Sequence, residues 1–211
     1  MKPYFLPPGY QAREAPEPFL DAPGNITWQP DVYTHALAVA RQLQVNRVVD
    51  FGCGAAGKLG PLVAEFPTFG FDCVPANLAN ARQAHPAALF AFLDLDALPG
   101  LSNAYIAPSD ALVIAADVIE HLRCPEQLLA RCRFARAIIL STPDRDRTHK
   151  RPDHLGPPPN ASHAREWTAS EFAALLNHHL PGFDTVIEFT RSNDQDPALN
   201  TILATCQRRA A

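Results

Sequence analysis

Five short apolar runs constrain the fold of this chain more than any other feature of its sequence. Val48-Val49 lead into Asp50-Phe51-Gly52. Further runs cover Thr68 to Phe71, Leu89 to Leu93, Ala111 to Ala115 and Ala137 to Leu140. A strand that is apolar without alternation must be covered on both faces, which indicates a parallel sheet between helical layers. Segments with helical character fall between the runs, at about 58–65, 76–84 and 125–133. At 211 residues, 47% hydrophobic and 19% charged, the chain has enough material for one domain with a full core and too little for two ordinary ones.

Residues 1–29 are Pro-rich and irregular, and read as an N-terminal arm or lid. Pro30 suits the first position of a helix running to about Leu43, so the domain proper is expected to span 30–211. Ser141 to Glu166 is long and polar, the pattern of a functional substrate-side loop over 141–166. The next helix has an explicit start: Thr168-Ala169-Ser170-Glu171 is a capping box, and Trp167 with Phe172 fits the hydrophobic staple. Two late strands, about 183–190 and 200–206, are joined closely enough to form a hairpin.

Composition removes several classes. Eighteen basic against 22 acidic residues give a net charge of −4, and only three residues are lysine, so no bulk field favours nucleic acid. No stretch approaches the roughly 20 apolar residues of a membrane span, and no apolar signal core follows Met1, so a cytoplasmic location is expected. The five cysteines contain no CxxC pair, which argues against structural zinc and a disulfide framework. Twenty-one prolines against ten glycines indicate stiff loops.

Gly52-Cys53-Gly54-Ala55-Ala56-Gly57 follows the first apolar run and precedes a helix. Glycines there allow a sharp turn and close approach of a ligand to the backbone. Asp72 closes the second run, twenty residues after Gly52, where a carboxylate can accept the hydroxyls of a ribose. These features fit NAD and S-adenosylmethionine equally well. Asp50-Phe51-Gly52 also spells a kinase triplet, but no matching catalytic loop accompanies it.

Asp50, two residues before the first glycine, occupies a place that dinucleotide-binding proteins usually give to an apolar residue. Val48-Val49-Asp50-Phe51-Gly52-Cys53-Gly54 instead resembles the first motif of class I S-adenosylmethionine-dependent methyltransferases. Gly70-Phe71-Asp72 is similar to that family's ribose-binding strand end. Asp94-Leu95-Asp96-Ala97-Leu98-Pro99 is similar to its adenine-edge segment, and Ala116-Asp117-Val118-Ile119-Glu120-His121-Leu122 to its fourth motif, in a branch where Glu-His is typical. The resemblance covers about Pro30 to Cys206. It implies a Rossmann-like, doubly wound α/β sheet of seven strands, mostly parallel with an antiparallel last strand. It also implies S-adenosylmethionine as cofactor, with Asp50, Gly52 and Gly54 at the methionine end, Asp72 at the ribose, Asp94 and Leu95 at the adenine, and Asp117 beside them. Two departures stand out: Ala56 replaces the family's third glycine, and no Pro-Gly-Gly turn precedes the fifth strand.

Methyl transfer to a hydroxyl needs a base or a metal ion to take the acceptor's proton. Asp117, Glu120 and His121 share one face if the chain is helical there, and His163 completes a set of two carboxylates and two imidazoles. Such a set suits Mg²⁺ or Mn²⁺. It is similar to the metal site of small-RNA 3′-terminal 2′-O-methyltransferases, with Asp117 in place of that pattern's first Glu. Three roles stay open for His121: metal ligand, metal-free base and hydrogen-bonded wall. His149, His154, Arg145, Arg147, Arg151 and Arg165 in the long loop read as a solvated surface or as a grip for a phosphate or carboxylate. His178-His179 reads as a favourable helix C-terminus, and Trp28-Gln29-Pro30 as a segment that closes over the site or packs in the core.

The leading expectation is O-methylation of a saccharide or another small hydroxylated acceptor, with Glu120, His121 and His163 as catalytic residues. The alternatives are metal-dependent 2′-O-methylation of an RNA terminus and a non-catalytic cofactor-binding partner protein. Acceptor choice is expected to reside in residues 1–29 and 141–166.

Overall fold

The computed structural model describes residues 4–17, 26–97, 105–149 and 154–210. Leu98, Pro99 and Arg151 lie outside the described residues. The chain builds a seven-stranded sheet: β1 (Arg47–Phe51), β2 (Thr68–Asp72), β3 (Leu89–Phe92), β4 (Ala111–Ala116), β5 (Ala137–Pro143), β6 (Phe183–Thr190) and β7 (Thr201–Arg208). Their order across the sheet is β3-β2-β1-β4-β5-β7-β6. The first five strands are mutually parallel, and β7 runs antiparallel to both β5 and β6. This is the expected doubly wound sheet with an antiparallel last strand.

The continuous apolar runs become strands with two buried faces. In β4, Leu112 and Ile114 point into a core layer formed with α1 (Pro30–Leu43), α2 (Gly60–Val63) and α3 (Pro75–Ala84). Their neighbours Val113 and Ala115 point into the opposite layer with α4 (Pro125–Cys132) and α6 (Ala169–His179). All four are fully buried. Alternation along the strand therefore divides one apolar run between two cores.

Local signals set the helix ends. Pro30 opens α1, where a missing N–H costs nothing, and Gln44 ends it in a left-handed conformation at φ 51°. The capping box forms at α6: the Glu171 N–H donates to Thr168 Oγ1 (3.3 Å) and the Thr168 N–H to Glu171 Oε2 (2.9 Å). Trp167 and Phe172 pack with ring centroids 5.8 Å apart.

The segment 141–166 is more structured than its polarity indicates. β5 runs on through Ser141, Thr142 and Pro143, because β7 supplies Leu203, Ile202 and Thr201 as partners. A short helix, α5 (Arg145–His149), follows. The expected helix at 58–65 shortens to α2, as residues 54–58 form successive turns before it.

Of the loop arginines, Arg145 and Arg165 are neither a solvated surface nor an anion grip, whereas Arg147 is exposed. Arg145 is buried; it donates to the Glu166 carbonyl (3.2 Å) and Glu171 Oε1 (2.8 Å). Arg165, also buried, donates to the carbonyls of Leu122 (2.8 Å) and Arg123 (3.2 Å) and lies over the Tyr4 ring. Both give donors to backbone carbonyls inside the fold. Arg147 donates to the Leu199 carbonyl (3.1 Å) and lies over the Phe189 ring. No helix among the described residues is long and apolar enough to cross a membrane.

Candidate active site

The first half of the site is the turn after β1. Gly52, Gly54 and Ala56 all have left-handed backbone, with φ of 75°, 54° and 61°. A side chain at Gly52 would also strike Val118, so both conformation and space demand glycine there. Ala56, at the third-glycine position, adopts the glycine-like conformation itself, and its carbonyl is held by His85 Nε2 at 2.9 Å.

Asp72 at the end of β2 locks this turn. Its Oδ2 accepts the Gly54 N–H (2.9 Å), and its Oδ1 accepts the Val74 N–H (2.8 Å) and the Asn77 amide (3.4 Å). The carboxylate is therefore fixed beside the glycine loop. Asp50 is fully buried one strand over. The Tyr33 hydroxyl donates to its Oδ2 (3.0 Å), while Oδ1 has no hydrogen-bond partner among the described residues. Burial, with the Asp72 charge adding to it, pushes the Asp50 carboxyl up to about 7, against the opposing pull of Tyr33 and Lys58.

Asp94 turns its Oδ1 to the Asp96 N–H (2.8 Å), so it caps the local turn, and the Leu95 side chain is buried in the core. Asp96 ties this segment to the stretch after β4 by accepting the N–H groups of Arg123 (2.9 Å) and Cys124 (3.0 Å).

The second half follows β4. A single 3₁₀ turn, Ile119–His121, begins after Asp117, whose own φ is 52°. Asp117 is consequently not on one helical face with Glu120 and His121. Its Oδ2 accepts the Gln29 amide (2.5 Å) and its Oδ1 the Ser141 hydroxyl (3.3 Å). Burial raises its pKa, with Lys58 and Gln29 opposing.

Glu120, His121 and His163 do converge. One ligand atom from each lies within 4.8 Å of the others, and Asp117 is not part of that cluster. The histidine rings meet edge to face, with centroids 4.8 Å apart. The Glu120 carbonyl accepts the N–H groups of Ala164 (2.8 Å) and Arg165 (3.3 Å), which brings the long loop against β4. The Glu120 side chain is fully buried, and neither carboxylate oxygen has a hydrogen-bond partner among the described residues. The Thr142 hydroxyl approaches too loosely for a full hydrogen bond, although its dipole still opposes the shift. Burial first, then the Asp117 charge, drives the Glu120 pKa well above the usual carboxylate range.

The imidazoles are oriented from behind. His121 Nδ1 donates to the Ser162 carbonyl (2.8 Å), which makes Nε2 its lone-pair nitrogen in the neutral ring. Burial and the neighbouring His163 hold His121 down at about 4, so it is neutral near pH 7. His163 Nδ1 donates to Glu166 Oε1 (2.7 Å), and its Nε2 accepts the Asn160 amide (3.0 Å). A buried carboxylate behind a histidine is the arrangement that orients metal-ligating imidazoles.

Sequence reasoning missed several residues here. Glu166 had a readable signal, a carboxylate three positions beyond His163. Tyr33, Lys58, Asn160 and Tyr10, whose hydroxyl accepts the Glu166 N–H (2.9 Å), had none. His154 Nε2 is 3.3 Å from the Pro157 carbonyl, and His154 is not a member of the cluster. His178 packs on Phe5.

No protein-family model matches the chain, and no curated protein matches its sequence. Solved structures do match. The methyltransferase domain of bacterial CtHen1 is 18% identical, with 86% of this chain and 100% of that one covered, at a TM-score of 0.62. Magnesium protoporphyrin IX methyltransferase from Synechocystis, solved with S-adenosylhomocysteine, is 18% identical over 89% and 90% of the two chains, at a TM-score of 0.64. An S-adenosylmethionine-dependent methyltransferase from Clostridium acetobutylicum is 10% identical over 86% and 93%, at a TM-score of 0.64. The chain thus has the Rossmann-like fold of S-adenosylmethionine-dependent methyltransferases, a fold shared by structural neighbours named for substrates as different as magnesium protoporphyrin IX, small RNA and plantazolicin.

Proposed function

We propose that this protein is an S-adenosylmethionine-dependent O-methyltransferase whose acceptor is a saccharide or another small hydroxylated molecule. The observation that carries the reading is the placement of two half-sites at the same ends of adjacent strands. A glycine turn locked to Asp72 lies on one side, and the buried Glu120–His121–His163 cluster lies on the other. The carboxyl ends of strands at the point where strand order reverses are where open α/β sheets bind ligands.

In this reading Asp72 accepts the ribose hydroxyls, Asp50 and the loop around Gly52 and Gly54 face the methionine end, Asp94 and Leu95 border the adenine, and Asp117 closes the donor side. The methyl carbon leaves the sulfonium sulfur, which keeps the bond's electron pair, and bonds to the acceptor oxygen. The acceptor's proton departs to a base. His121 is neutral with a lone pair on Nε2, so it can receive that proton.

The donor chemistry also fits a divalent ion held by Glu120, His121 and His163. Two bare, buried carboxylate oxygens and two pre-oriented imidazoles are a ligand set in search of a cation, once the Asn160 amide releases His163 Nε2. With Asp117 engaged elsewhere, one carboxylate and two imidazoles favour Mn²⁺ over Mg²⁺. Bound there, the ion would lower the pKa of the acceptor hydroxyl. The likeness to the CtHen1 methyltransferase domain, with this cluster, favours one second reading: 2′-O-methylation of an RNA terminus. The net charge of −4 weighs against it. A non-catalytic partner role fares worse, because an unpaired buried carboxyl group lowers stability with no return.

Calorimetric titration with S-adenosylhomocysteine, in EDTA and again with Mn²⁺, tests the proposal. Micromolar binding with NAD silent supports the donor half, and a Mn²⁺-dependent heat lost in His163→Ala supports the metal half. Absence of nucleoside binding overturns the reading.

A further inference from the structure

Ala56 holds a backbone conformation that its own side chain opposes. Its φ of 61° is left-handed, and a residue with a Cβ is disfavoured there by a factor of about 5 to 30. Two hydrogen bonds hold it from inside its own turn. The Ala56 N–H donates to the Cys53 carbonyl (2.9 Å), and the Leu59 N–H donates to the Ala56 carbonyl (3.1 Å). A third comes from 29 positions away, where His85 Nε2 lies 2.9 Å from the same carbonyl. A carbonyl only accepts, so Nε2 carries the proton and donates it.

His85 is itself fixed. It follows the last residue of α3, where its N–H donates to the Ala81 carbonyl (2.9 Å) and its carbonyl accepts the Ala88 N–H (3.0 Å). The opposite end of α3 reaches the same turn. Asn77 donates to Asp72 Oδ1 (3.4 Å), and Asp72 Oδ2 accepts the Gly54 N–H (2.9 Å). The helix therefore brackets the turn, through Asp72 at Gly54 and through His85 at Ala56. The Leu59 N–H satisfies the Ala56 carbonyl without help, so loss of the imidazole would leave no buried acceptor without a donor. What the imidazole adds is direction, because a second donor on one oxygen fixes the plane of the Ala56–Gly57 peptide.

We propose that His85 is a positioning residue for the methyl donor, holding Ala56 in left-handed backbone and thereby keeping residues 52–57 in their binding shape. The inference rests on the donor reading given above, and His85 acts through Ala56 rather than on the ligand. A tilt at Ala56 reaches Gly54 through the Cys53 carbonyl that Ala56 grips. Without the imidazole the binding shape becomes a minority conformation, and apparent affinity falls by the same fraction. A glycine at position 56 would need no such support.

The test is a double-mutant cycle between positions 85 and 56, read as S-adenosylhomocysteine affinity by calorimetry. The variants are His85→Ala, Ala56→Gly and the pair, with His85→Gln to return an N–H donor, each first checked for a cooperative melt. His85→Ala should weaken S-adenosylhomocysteine by about 5- to 30-fold, the factor by which the conformation is disfavoured. In the Ala56→Gly background the same change should cost no more than about twofold, and His85→Gln should recover part of the loss. A merely structural histidine would lower the melting temperature and leave the cycle additive. An equal loss in both backgrounds, or native affinity in His85→Ala, would overturn the assignment while the donor reading stands. Should His85→Ala not fold, the pair must fold, since glycine removes the demand; a pair that also fails overturns the assignment. A native protein that binds no S-adenosylhomocysteine removes the donor reading and this inference together.

Discussion

Replacing Glu120 by methionine should stabilise the protein and inactivate it. The side chain is fully buried with both oxygens unpaired, and its pKa lies well above the usual range because burial disfavours the charge. A buried polar group left without a partner costs about 1–3 kcal/mol. Methionine is unbranched and adaptable but somewhat bulkier than glutamate, so fitting its sulfur and methyl group takes back about 1 kcal/mol. The backbone carbonyl that anchors Ala164 and Arg165 is untouched by the change. The expected gain in EDTA is about 1–2 kcal/mol, or a Tm higher by roughly 2–8 °C for a chain of this length. Thermal and urea unfolding at pH 7 measure it. Added Mn²⁺ should reverse the ranking, because an ion at a hundred times its Kd contributes about 2.7 kcal/mol to the native protein and nothing to the variant. A loss of 1 kcal/mol or more in EDTA would refute the argument, since Glu120 would then be a satisfied structural residue.

Asp72→Ala should weaken S-adenosylhomocysteine by roughly 10- to 100-fold in calorimetry, since it removes the carboxylate that locks Gly54 and Val74; unchanged affinity would take Asp72 out of the site. Asp50, at about 7 in the folded state against 3.8 unfolded, binds its proton more tightly when folded. Its contribution is therefore full below about pH 4 and is lost as pH rises toward 7, by up to about 4 kcal/mol, and Asp50→Asn should flatten that slope in urea midpoints taken across the window. Thr168→Ala removes the cap of α6 and should cost about 1 kcal/mol in the same assay.

The sheet was legible because its strands obey one rule. Val113 and Ala115 on one face and Leu112 and Ile114 on the other are all apolar, and only a doubly covered parallel strand accommodates that. The capping box was equally direct, since the groups that form it are three residues apart. The expectation failed where a distant partner decides the outcome. Ser141 and Thr142 look like loop residues until β7 supplies their antiparallel neighbours. Arg145 and Arg165 look like surface residues until backbone carbonyls inside the fold take their guanidinium groups. Tyr10 meets Glu166 across 156 positions, a distance over which no periodicity operates.

The turn after β4 shows how far a motif can be read without its backbone. Its spacing put Asp117, Glu120 and His121 together on the assumption of a helix, and a helix would have sent all three the same way. Two pieces of chemistry have to meet there, however. On the proposed reading, the sulfonium donor lies on the Asp50 and Lys58 side, and the acceptor hydroxyl lies on the His163 side. In-line transfer requires them to face each other across a gap that no single helical face can flank. The left-handed φ of 52° at Asp117 reverses the chain before the 3₁₀ turn starts. It sends one carboxylate to Gln29 and releases the next carboxylate and imidazole toward His163. Asp117→Gly, which relaxes that backbone and removes the Gln29 contact, should therefore weaken S-adenosylhomocysteine while leaving the affinity for Mn²⁺ within a few-fold. Loss of both in parallel would return Asp117 to the metal site.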